Sequence, residues 1–72
     1  MNSITVKVND LWSVLNLMKK EGMSQVNLTL CEADEEEPAF ISFEAVSQND
    51  PEFSVDYDSV DAVPEDELLF EP

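Results

Sequence analysis

The chain has 72 residues, 43% of them apolar, and its 17 acidic and 3 basic residues leave a net charge of −14. A chain of this length supports one small core that buries about 60% of the unfolded surface, which excludes a separate catalytic domain or a deep cleft. The charge disfavours nucleic acid, phosphorylated substrates and acidic lipid surfaces as direct partners.

In chain order, Ile4, Val6 and Val8 alternate with Thr5 and Lys7. That period of two predicts a half-buried strand over 3–8. Asn9-Asp10 then offers an N-cap, with Asp10 where a helix dipole favours an anion. The period changes in L-W-S-V-L-N-L-M-K-K-E-G. Leu11, Val14, Leu15 and Met18 fall on one helical stripe, and Trp12 and Leu17 widen it. Trp12 and Met18 are therefore expected in the core. Lys19 and Lys20 suit the last turn and Gly22 suits a left-handed C-cap, so a helix is predicted over 10–21.

After Gly22 the period returns to two. Val26, Leu28 and Leu30 predict a second strand over 25–32, and Cys31 reads as a small, half-buried hydrophobe. Asp34–Glu37 and Pro38 form a loop. Ala39, Ile41, Phe43 and Ala45 predict a third strand over 39–46. S-Q-N-D-P-E is rich in turn formers. Phe53, Val55 and Tyr57 predict a fourth strand over 53–58. Pro64, followed by Glu65, Asp66 and Glu67, suits the start of a short helix, with Leu68, Leu69 and Phe70 docking the tail on the core. A disordered acidic tail is the competing reading.

The order β-α-β-β-β implies a single acidic α+β domain over residues 1–72. One helix packs on a mostly antiparallel three- to four-stranded sheet, with a possible short C-terminal helix. A lone Cys cannot form an intrachain disulfide, which fits a reducing cytoplasm. The N-terminal alternation lacks the apolar core of a signal peptide, and no apolar run is long enough to span a bilayer.

Several chemistries lack their residues. There is no His for a general base or a metal site, no Arg to clamp a phosphate, and one Gly, too few for a phosphate loop. No enzyme activity, cofactor or metal is expected. Asp56-x-Asp58-x-x-Asp61 resembles a calcium loop only superficially, because Asp61 occupies the glycine place of an EF-hand. Strand alternation accounts for Asp56 and Asp58 as solvent-facing positions.

The acids are most informative together. Residues 1–31 hold Asp10 and Glu21 against Lys7, Lys19 and Lys20, a balance of +1; residues 32–72 hold fifteen acids and no base. A compact chain of this length has a radius of gyration of roughly 11 Å and a diameter on the order of 30 Å. Over about 30 Å, duplex DNA presents about 17 charges, close to what this protein carries. Crowded carboxylates are expected to have raised pKa values, and the charge exceeds the magnitude of about 2–8 that solubility requires. A basic partner surface would offset the repulsion.

The expectation is an interaction module that imitates nucleic acid and blocks the Lys/Arg-rich channel of a DNA- or RNA-binding protein. Phage and mobile-element inhibitors of the anti-CRISPR and anti-restriction type work in this way, an analogy of kind and not of motif. Asp34, Glu35, Glu36 and Glu37 would form a mobile anionic finger. Asp56, Asp58 and Asp61 would give a phosphate-like row, since alternate strand residues lie roughly 6.6–6.8 Å apart. Glu65, Asp66 and Glu67 would extend that surface. The alternative is a small structural adaptor or antitoxin-like subunit that binds through its sheet edge or helix face.

Overall fold

A computed structural model describes residues 3–70. Its elements are α1 (Val8–Lys20), β1 (Gln25–Cys31), β2 (Phe40–Ser47), β3 (Asp50–Asp61) and a single 3-10 turn at Glu65–Glu67. The three strands form one antiparallel sheet in the order β1-β2-β3, with α1 packed against it. The domain is α+β, as composition and periodicity imply, but its element order is α-β-β-β.

The expected first strand is absent. Residues 3–7 run without ladder pairing and are tied to the C-terminal segment where Val63 N–H donates to the Thr5 carbonyl at 2.8 Å. Period two specifies which side chains share a face; it does not supply a neighbouring strand. Helix α1 also starts earlier than Asn9-Asp10 suggests. Lys7 is the N-cap residue in extended conformation with no side-chain cap bond, and Leu11 N–H bonds the Lys7 carbonyl at 3.1 Å. An N-cap side chain is worth about 1 kcal/mol, a preference that two further helical residues override.

The helix ends as its sequence dictates. Gly22 has φ +83, and Gly22 N–H bonds Lys19 O while Met23 N–H bonds Met18 O. Those two bonds are a Schellman cap. A Cβ built on Gly22 meets nothing within 4 Å. The requirement for glycine is therefore conformational, worth about 1 kcal/mol relative to Ala.

One sheet face carries Val26, Leu28 and Leu30 from β1, Ile41, Phe43 and Ala45 from β2, and Val55, Tyr57 and Val60 from β3. Ile41 pairs with Val60 but Phe43 pairs with Tyr57, so a bulge in β3 holds the extra residue. That bulge reverses the alternation, which lets Tyr57 and Val60 both face the helix. Met18, Phe43, Ala45 and Val60 form the buried core, with Leu11, Val14, Met23, Val26 and Ile41 packed around them. β3 is longer than its alternation predicts because Pro51 is tolerated on an edge strand. The hairpin closes over Gln48-Asn49, where Asn49 N–H donates to Ser47 Oγ at 3.2 Å and Gln48 N–H to Ser24 Oγ at 3.0 Å.

Four expectations fail on packing. Trp12, placed in the core by its spacing, is 62% exposed, and Leu17 is also exposed. The apolar surface of α1 is wider than the sheet can cover. Leu11, Val14 and Met18 turn inward, and Val8, Trp12 and Leu15 form a second, solvent-facing stripe. The tail does not dock: Leu69 is 95% exposed and Phe70 is also exposed. The molecule is longer than a compact sphere, with a radius of gyration of 13.7 Å and extents of 42 × 23 × 19 Å.

Candidate functional site

The acids expected to bind a partner fall into two groups, sorted by the topology. Asp34, Glu35, Glu36 and Glu37 lie in the connection between β1 and β2. Asp61 ends β3 opposite Phe40, the first residue of β2, and Ala62 N–H bonds Ala39 O at 2.8 Å. Glu65, Asp66 and Glu67 follow in the 3-10 turn. The end of β1, the start of β2 and the end of β3 share one end of an antiparallel sheet. Eight of the ten candidate residues therefore gather there.

An open groove of about 750 Å³ runs through this end. Asp61, Glu65 and Glu67 line it together with Ala33 and Pro38, which flank the acidic loop, and with the N-cap residue Lys7 and Asp10 in the first turn of α1. Lys7 is a cation set among these acids and reduces their field locally.

The acidic loop, expected as an anionic finger, is closed into a turn by its own hydrogen bonds. The Asp34 carboxylate accepts Glu36 N–H and Glu37 N–H, each at 2.8 Å, and Asp34 N–H donates to the Glu37 carbonyl at 3.0 Å. This is an Asx turn, built because Asp can bond the backbone two residues on. The bonds from Glu36 N–H, then from Glu37 N–H, lower the Asp34 pKa below 3.8 against a small opposing effect of desolvation. Crowding predicts a rise; at Asp34 the backbone donors win because they favour the charged form directly. The turn's contribution is present above about pH 4 and is lost as pH falls through the depressed folded value.

Asp56 and Asp58 are placed apart from this end. Asp56 stands on the sheet face away from the helix, directly opposite Glu44 on β2. Like charges opposite one another destabilise a sheet. Glu44 is partly compensated, since Ser54 Oγ–H donates to its carboxylate at 2.9 Å. Asp58 falls within the bulge between Tyr57 and Val60. Asp56 and Asp61 nevertheless share the sheet face away from the helix, opposite Glu44 and Phe40, because the bulge that holds Asp58 and Ser59 restores Asp61 to that face. All three are exposed.

No group of three or more His, Cys, Asp or Glu residues is arranged to hold a metal ion among the described residues. Cys31 is half-buried, on the sheet face away from the helix. Among the described residues no helix is long and apolar enough to cross a membrane.

Sequence reasoning missed two features. One is the exposed Val8–Trp12–Leu15 stripe. Its i, i+4, i+7 spacing was visible, but which of two adjoining apolar stripes faces the sheet depends on tertiary packing. The other is a hydrogen bond from the Tyr57 hydroxyl to Glu21 Oε1. Nothing in sequence relates residues 36 positions apart. These features define a small acidic α+β domain with one anionic end. Comparison with protein-family models, curated proteins and solved structures finds no match to this chain.

Proposed function

We propose that this domain is a nucleic-acid mimic that occupies the Lys/Arg-rich channel of a cytoplasmic DNA- or RNA-binding protein and blocks it. On this reading it is an inhibitor of the anti-CRISPR or anti-restriction kind and is not an enzyme. The carrying observation is the distribution of charge along an elongated body. The described residues hold sixteen acids against three lysines, so thirteen net charges lie along 42 Å. That is about one per 3.2 Å, against 3.4 Å per phosphate along one strand of duplex DNA. The longer shape replaces duplex density with the density of a single strand.

The anionic end would lead. Asp34–Glu37 and Glu65–Glu67 would meet the partner's cations, and the Asx turn would hold the loop in shape before contact, limiting the entropy lost on binding. Charge of this kind sets association rate and partner choice more than affinity. An apolar anchor is still required, and Trp12 is the exposed aromatic best suited to it.

The test is competition. The protein should displace DNA or RNA from a basic binding protein, with affinity falling at least tenfold between about 50 and 200 mM salt. Reversal of Asp61, Glu65 and Glu67 to Lys should abolish displacement. Binding indifferent to both would overturn the reading. The exposed stripe favours one second reading, an adaptor that docks its helix on a partner. Loss of binding in Trp12→Ala, with the charge reversals harmless, would select it.

A further inference from the structure

We propose that the free edge of β1 pairs antiparallel with β1 of a second copy of this chain, about a two-fold axis through Leu28, giving a continuous six-stranded sheet. The inference is independent of nucleic-acid mimicry and rests on how the two sheet edges differ. β3 carries the devices that prevent edge pairing: Pro51, register irregularities near both ends, and Asp50, Glu52, Asp56, Asp58 and Asp61. β1 carries none of them. Its seven residues, Q-V-N-L-T-L-C, include no proline and no charge, in a chain of net charge −14. Its pairing with β2 runs unbroken from Gln25↔Val46 to Cys31↔Phe40. A regular, uncharged edge is a template for another strand.

Burial points to the same place. Leu28 is the central residue of β1 and lies on the helix side of the sheet, opposite the buried Phe43. It is nevertheless 54% exposed. Of the three strands α1 approaches β3 most closely, and Leu28 at the opposite edge of the sheet stays exposed.

The sequence of the strand identifies the occupant. Its alternation is symmetric about Leu28. In antiparallel self-pairing, Val26 stands opposite Leu30 of the second copy and Asn27 opposite Thr29. Gln25 stands opposite Cys31, and Leu28 meets its own equivalent. The Val26–Leu30 and Leu28–Leu28 pairs then fall on the helix side, and the Asn27–Thr29 and Gln25–Cys31 pairs on the other face. An isologous contact needs this self-complementarity, which an unrelated strand supplies only by coincidence. Charge agrees, because two such anionic chains repel over most of their surfaces. The approach along β1 brings together residues 22–31, which hold no charged side chain. Pairing over seven residues is at the low end of interface sizes, below about 1,200 Å². The dimer is therefore reversible and concentration-dependent.

The experiment is sedimentation velocity on the full chain across a concentration range, with Leu28→Lys and Leu28→Glu. Circular dichroism checks that each variant is folded, as the exposure of Leu28 leads one to expect. The unaltered chain should dimerise with an affinity no weaker than about 1 mM. Each variant alone sets like charges against each other on the axis and should weaken association at least tenfold. An equimolar mixture of the two should restore a dimer, seen as a heterodimer by native mass spectrometry. A chain that stays monomeric throughout overturns the proposal. So does a dimer that survives both substitutions, or one that Trp12→Ala abolishes and Leu28→Lys leaves intact.

Discussion

Tyr57 ties the sheet to the helix end. Its hydroxyl donates to Glu21, the C-cap residue of α1, and this bond, followed by desolvation and the charge of Glu21, raises its pKa from 10.0 to about 12. A raised folded pKa means that the bond's contribution is complete below pH 10 and is lost as pH rises from about 10 to about 12. Tyr57 is the one tyrosine of the chain, so its ionisation is read directly by ultraviolet absorbance. The folded protein should titrate near 12, and Glu21→Ala should bring the midpoint back toward 10. A midpoint near 10 in the unaltered protein would show that the bond does not form in solution. Little of this was legible in the sequence, where Tyr57 is an apolar-face strand residue and Glu21 a charge after two lysines. Gly22 is the contrast. Its place after Lys19-Lys20 at the end of an apolar stripe predicted positive φ, because helix termination depends on neighbouring residues alone.

At the scale of elements, local signals located α1, β1, β2 and the centre of β3. They failed where an element needs a distant partner. Residues 3–7 alternate like a strand but meet the segment after β3 through the Val63–Thr5 bond without forming a ladder. The β3 bulge that brings Asp61 to the face of Asp56 is hidden for a related reason: pairing with β2 fixes the register, and single-strand alternation does not reveal it. The Asp56–Glu44 pair carries a measurable consequence. Replacing Asp56 with Thr removes like-charge opposition on a solvent-facing pair and adds a β-branched residue. The variant should be more stable by about 0.5–1 kcal/mol, a rise of several degrees in melting temperature. If mimicry is the function, the same variant should compete less well with nucleic acid. A loss of stability would give Asp56 a structural role that its surroundings do not suggest.

The whole molecule has a thin core and a large charge. Met18, Phe43, Ala45 and Val60 are its buried hydrophobic residues among those described. Phe43→Ala alone should cost about 3–5 kcal/mol, comparable with the entire stability expected of so small a domain. Repulsion acts against that margin. The Debye length shrinks from about 30 Å at 0.01 M salt to about 3 Å at 1 M, and the body is 42 Å long. Added salt should therefore raise the melting temperature by several degrees. A melting temperature flat across that range would mean that the carboxylates are already compensated within the fold.

Composition, charge asymmetry and periodicity determined that this is one small acidic α+β domain, with fifteen of its acids after residue 31 and its lysines on or beside the helix. Those properties follow from residue identity and near neighbours, so one dimension contains them. Tertiary structure alone decided that the acidic loop and the C-terminal turn share an end, that Trp12 faces solvent, and that β1 keeps an open, uncharged edge. Each of these depends on which surfaces are already covered, and coverage is a property of pairing and packing between residues far apart in the chain.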